Sequence, residues 1–161
     1  MSNTGYHLAQ FNIAIMWAPL DDPSMADFVS QLEPVNRLAD STPGFVWRLQ
    51  SDGGDATSIQ AYEDPRVLIN MTVWESIEAL FEFTYRNSHG DVFRDRKSWF
   101  EPQDGPSVVL WWIPAGHIPT VEEGKQKLDL LKEKGPGPNA FTFKKRYSLQ
   151  EWLELNQIKV N

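Results

Sequence analysis

Cysteine is absent from this 161-residue chain. Disulfides, thiolate nucleophiles and thiolate metal sites are thereby excluded, and a reducing, cytoplasmic setting is the expectation. Positive charge is also scarce: 15 Lys and Arg stand against 22 Asp and Glu, a formal charge of −7. Binding to nucleic acid needs a clustered cationic surface, which the short groups Arg86/Arg94/Arg96/Lys97 and Lys144/Lys145/Arg146 do not supply. No apolar run approaches membrane-spanning length, and Met1–His7 lacks the cationic and apolar regions of a signal peptide. Three scattered histidines (His7, His89 and His117) give no metal-ligand spacing, so no metal is expected. Phosphate loops, dinucleotide fingerprints and nucleophile elbows are missing as well.

Aromatic groups, by contrast, are abundant: seven Trp and nine Phe. Core packing is the usual use of such rings, and a surplus can line a cavity. The length suits one domain over residues 1–161, with a core at 8–146 and a C-terminal tail at 147–161.

Apolar residues alternate in Leu8–Trp17, Phe45–Gln50 and Val67–Trp74, and each reads as a strand. Val108–Ile113 and Ala140–Arg146 are read as strands too. At Glu75-Ser76 the period changes from two to helical spacing, which predicts a helix over Ile77–Arg86. A first helix runs from Met25 to about Ala39, capped by Ser24, and Pro34 inside it predicts a kink or break. A short helical piece is expected within Asp91–Phe100. Thr120 and Glu123 form a capping box for a helix reaching Lys134, where Gly135-Pro136-Gly137-Pro138 stops it. Leu149–Val160 forms an amphipathic tail.

The order β-α-β-β-α-β is that of the α+β, ferredoxin-like split βαβ arrangement, here with an added C-terminal helix and strand. Two helices cover one sheet face and leave the other in need of a partner. Sheet-to-sheet pairing of two copies buries such a face, so a homodimer is expected, with Leu8, Ala14 and Leu68 among the apolar groups too greasy to face water.

Five segments carry a resemblance: Leu8–Ala14, Ala18–Pro23, Gly44–Leu49, Asn70–Glu75 and Leu110–Thr120. Through them the chain resembles the dimeric α/β-barrel superfamily, which contains antibiotic-biosynthesis and haem-degrading monooxygenases. It is most similar to an uncharacterised bacterial family within that group. The resemblance implies the fold and a dimer, and leaves the reaction open. Haem-degrading members carry an Asn on the first strand, a Trp ending the third and a His on the next helix. Asn12 and Trp74 match two of these, while His89 falls after the helix rather than on it.

Gln10, Asn12, Asn70 and Trp74 share matching strand faces, and several amides with an indole N–H facing one space suggest a polar pocket that orients a ligand. The resemblance together with the Asn12/Trp74 pair suggests a catalytic set of Asn12, Trp74, Tyr85 and His89, the first two holding an enolate or phenolate and either Tyr85 or His89 moving a proton. Trp99, Trp111, Trp112, His117 and Arg48 join Gln10 and Asn70 as candidate substrate contacts. Each has a plainer use: Trp residues as core rings, His117 bonding a loop, Arg48 in an edge salt bridge, and Asp21-Asp22 capping the first helix.

The resulting expectation is an oxygenase or related oxidoreductase acting on a small aromatic ligand without a tightly bound organic cofactor. A non-catalytic small-molecule binder and a haem-binding or haem-degrading protein are the alternatives.

Overall fold

The computed structural model describes residues 5–50, 57, 59–88 and 96–156. The alternating segments become four antiparallel strands: β1 (Tyr6–Ile15), β2 (Phe45–Arg48), β3 (Val67–Trp74) and β4 (Val108–Pro114). They lie in the order β2-β3-β1-β4, with Leu8 opposite Trp74, Gln10 opposite Thr72 and Asn12 opposite Asn70 on the central pair. Helix α1 (Ala26–Ser41) joins β1 to β2, and α2 (Ile77–Ser88) follows β3. This is the ferredoxin-like split βαβ order. Three α-helices are added among the described residues: α3 (Arg96–Trp99), α4 (Val121–Lys134) and α5 (Leu149–Leu155). None of the described helices is long and apolar enough to cross a membrane.

One sheet face, carrying Leu8, Trp74, Leu110 and Trp112, packs against Ala39 of α1, Ile77 and Leu80 of α2, and Phe141. The opposite face, carrying Ala9, Phe11, Ile13, Met71, Val73 and Trp111, is covered by Leu128 and Leu131 of α4. Burying each of those two leucines contributes about 1.5–3 kcal/mol. Close approach depends on Gly124, whose missing Cβ would stand 2.6 Å from the Phe11 ring. Both faces are thus filled within one chain, and Leu8 and Leu68 lie buried under α1, α2 and neighbouring loops. The face expected to be left open for a second copy is covered by α4 of the same chain. Assembly itself is a separate matter.

Three expectations change locally. Pro34 does not break α1, because Ser30, whose carbonyl loses its partner, and Pro34 itself face solvent where water can serve. The cap sits earlier than Ser24: Asp22 accepts from the Ser24 N–H at 2.9 Å and opens a 3-10 turn over Pro23–Met25. Of the helical piece expected within Asp91–Phe100, the described part is α3, and 91–95 lie outside the described residues. The added strand at Ala140–Arg146 is reduced to isolated bridges, Phe141 with Leu110 of β4 and Ala140 with Gly137. Beyond them the Thr142 hydroxyl accepts from the Lys145 N–H and turns the chain away. Gly44, at φ +90°, sits so close to Ala79 of α2 that a Cβ would meet it at 2.5 Å.

Candidate functional site

Between α1, α2 and the sheet face that carries Asn12 lies a cleft of about 290 Å³. Its walls are mostly apolar, with Phe28, Leu32 and Val35 on α1, Leu80 and Phe83 on α2, and Phe100 and Phe143 from outside the helices. Amphipathic spacing puts these groups there: 28, 32, 35 and 36 share one face of α1, and 80, 83 and 84 one face of α2. The sheet contributes Gln10, Asn12, Asn70 and Thr72. An apolar cavity with a few convergent polar groups is the usual form of a small-molecule site, and this volume lies just under the usual range of roughly 300–1,000 Å³, which suits a small ligand.

The polar groups form one continuous ladder along β1 and β3. Trp74 Nε1 donates to Thr72 Oγ1 at 2.8 Å, and Thr72 Oγ1 donates to Gln10 Oε1 at 2.8 Å. Gln10 Nε2 then donates to Asn12 Oδ1 at 2.6 Å, which also accepts from Asn70 Nδ2 at 3.2 Å. Period-two alternation explains the alignment, since residues 10 and 12 stand directly opposite 72 and 70. Trp74 is wholly buried, Thr72 and Gln10 nearly so, and Asn12 and Asn70 are half-buried at the open end. The ladder therefore joins the core to the cleft.

Arg48 lines the same cleft, though strict alternation from Phe45 would turn it to the face opposite Phe45. A bulge between Phe45 and Trp47 pairs Phe45 with Trp74, Trp47 with Val73 and Arg48 with Thr72. Phe45 and Arg48 thus share the cleft face, and Trp47 joins the core under α4. The Arg48 guanidinium pairs with Asp40 at 2.8 Å.

The remaining candidates scatter. Trp74 is packed between Phe83, stacked at 5.2 Å, and Phe45, edge-on at 5.4 Å, with its N–H committed to Thr72. Trp99 is buried beside Phe28, and Trp112 is buried with its N–H on the Tyr147 carbonyl. Trp111 and His117 lie on the α4 side, where Glu123 accepts from Trp111 Nε1 at 2.9 Å and meets His117 Nε2 at 2.7 Å. The Glu123 N–H caps on Thr120 Oγ1 while its carboxylate ties the helix to the sheet, so only half of the expected capping box forms. Tyr85 is exposed on α2 and His7 is half-buried on β1, and neither lines the cleft. His89 lies outside the described residues.

Thr72, Asn36 and Thr84 were not singled out from sequence. Thr72 had a signal, since it alternates with Asn70 and Trp74 on one strand face. So did Asn36, a polar residue on the apolar stripe of α1. Away from the cleft, burial lowers the pKa of Lys127 on α4, and burial, then Asp129 and Glu122, raise that of Tyr62. Among the described residues no group of His, Cys, Asp and Glu could hold a metal ion. The described cleft lining also contains no His, Cys, Met or Tyr, so it offers no axial ligand for haem iron.

A family described as a domain of unknown function (DUF3291) matches residues 7–157. No curated protein matches the chain. Among solved structures, a protein of unknown function from Nitrosomonas europaea is 12% identical, covering 73% of this chain and 99% of its own, with a TM-score of 0.41. A proposed antibiotic biosynthesis monooxygenase from Chloroflexus aurantiacus J-10-fl is 14% identical, covering 71% and 98%, also with a TM-score of 0.41. Likenesses this distant say nothing about chemistry.

Proposed function

The chain belongs to the DUF3291 family, and we propose that its cleft binds a small, largely aromatic molecule oriented by Asn12 and Asn70. The supporting observation is the amide ladder, which ends half-exposed in a cleft whose walls are otherwise apolar. Apolar walls supply affinity by excluding water, and the amides supply orientation. Titrating naphthols and quinolones into the protein, followed by two-dimensional amide NMR, tests this. Shifts confined to the cleft-lining residues of β1, β3, α1 and α2 and to Arg48, Phe100, Val108 and Phe143 support it, and their absence at millimolar ligand removes it. Asn12→Ala should weaken binding while leaving the fold intact.

Turnover is the second reading, in which the protein oxygenates its aromatic ligand without a bound organic cofactor. It is favoured by the Arg48 guanidinium and the Asn12 amide lining one cleft, since both favour an enolate or phenolate over its neutral form. The ionised carbon would attack dioxygen to give a hydroperoxide, which loses water to leave a new carbonyl. No described lining residue is a general base, so this reading is confined to quinols acidic enough to ionise readily. Oxygen consumption across a panel of quinols decides between the two, with unchanged ligand recovered if the protein only binds. Dimerisation is a third proposal. With both sheet faces filled, two copies would join through exposed groups such as Phe81 on α2, and native mass measures it.

A further inference from the structure

The ladder has a direction, and its far end determines what the cleft presents. An indole N–H can only donate, so Thr72 Oγ1 must accept from Trp74 and pass its own proton to Gln10 Oε1. Gln10 is then left with its Nε2 toward Asn12, and Asn12 must answer with Oδ1. That oxygen takes a second N–H from Asn70 Nδ2. The amide of Asn12 is therefore turned with its carbonyl into the ladder and its Nδ2 away from it. Asn70, having given an N–H to Asn12, keeps Oδ1 as an acceptor. Neither Asn12 Nδ2 nor Asn70 Oδ1 has a partner among the described residues, and both asparagines line the cleft.

We propose that the cleft selects ligands carrying a hydrogen-bond acceptor beside a donor, as in a lactam or cyclic imide fused to an aromatic ring, with Trp74 setting this polarity from outside the cleft. The inference rests on the cleft being a small-molecule site. Trp74 acts as a positioning residue: it does not line the cleft, and its effect travels through two side chains to Asn12. Without its donor, Thr72 can turn its proton elsewhere and the amides of Gln10 and Asn12 can flip.

The test measures dissociation constants for 2-quinolone, N-methyl-2-quinolone and naphthalene, which share ring size and differ in their polar edge. Wild type should bind 2-quinolone about ten-fold more tightly than naphthalene, roughly the effect of one or two net hydrogen bonds, with the N-methyl compound between. In Trp74→Phe that preference should fall to about three-fold or less, with naphthalene binding nearly unchanged. Thr72→Val, which cuts the relay and keeps the indole, should lose the preference in the same way, so either variant suffices if the other fails to fold. Equal binding of all three probes by wild type overturns this inference and leaves the cleft reading standing. No binding of any probe removes both. A preference retained in a folded Trp74→Phe and a folded Thr72→Val overturns the role of Trp74.

Discussion

Gly124→Ala tests whether α4 is seated on the sheet as closely as the structure requires. Taken as a helix position alone, the change should stabilise, because Ala is favoured over Gly by about 1 kcal/mol in a helix interior. Packing opposes it. The added methyl would stand 2.6 Å and 2.7 Å from Phe11 Cδ1 and Cγ, and Phe11 is completely buried on the central strand. Overpacking of this kind costs about 1–3 kcal/mol, so the net result is a loss of roughly 1 kcal/mol and a Tm lower by about 2–4 °C for a chain of this size. Thermal and urea unfolding of Gly124→Ala, Phe11→Leu and the double variant measure it. Removing the ring should relieve the clash, giving a favourable coupling of about 0.5–3 kcal/mol in the double-mutant cycle. A Gly124→Ala protein more stable than wild type, or a cycle that closes to zero, would refute the seating. Because the cleft lies on the opposite sheet face, ligand binding should not change in any folded member of the cycle.

Three further outcomes are expected. Thr72→Val should lose roughly 2–6 kcal/mol, since it strands a buried indole N–H and a Gln carbonyl at about 1–3 kcal/mol each, whereas Thr72→Ser should lose far less; urea midpoints report both. Burial lowers the folded pKa of Lys127 below the usual 10.5, opposed by Glu123, so the unfolded chain binds its proton more readily and stability rises with pH through the window up to about 10.5. Lys127→Met should therefore melt higher than wild type at pH 7, with the gap closing toward pH 10.5. Titrated haem should show no saturable Soret band at one haem per chain, because the described lining offers no axial ligand; a band abolished by His89→Ala would reverse this.

The central pairing was legible because β1 and β3 alternate cleanly, and two such strands can place 10 and 12 opposite 72 and 70 only in one register. Gathering Gln10, Asn12 and Asn70 into one place follows from that register. The position of α4 was not legible: its amphipathic stripe shows that it packs, and nothing local says on which face. Trp74 shows a different limit. Its type and position marked it as important, but whether an indole faces a ligand or donates inward depends on Thr72, two residues earlier, and on Phe83 stacking against it. Arg48 reached the cleft through a bulge that no residue type in Phe45–Arg48 announces. His117 and Trp111 looked like site residues because loops and aromatic rings often are, yet Glu123 holds both for the attachment of α4.

The bulge in β2 bears on how much length this edge of the sheet can lose. Val46 is the extra residue: it pairs with nothing across the ladder, and its side chain is exposed. Its neighbours Phe45 and Trp47 already oppose the consecutive residues Trp74 and Val73. Excising Val46 would therefore regularise the strand and leave Arg48 opposite Thr72, with every side chain on the face it now occupies. Excising Trp47 instead would bring Val46 into line opposite Val73 and put a valine where an indole now packs against the core, leaving a void of the difference in size. Two deletions one position apart thus differ in kind, the first a change of contour toward solvent and the second a loss of packing where the edge strand meets the core.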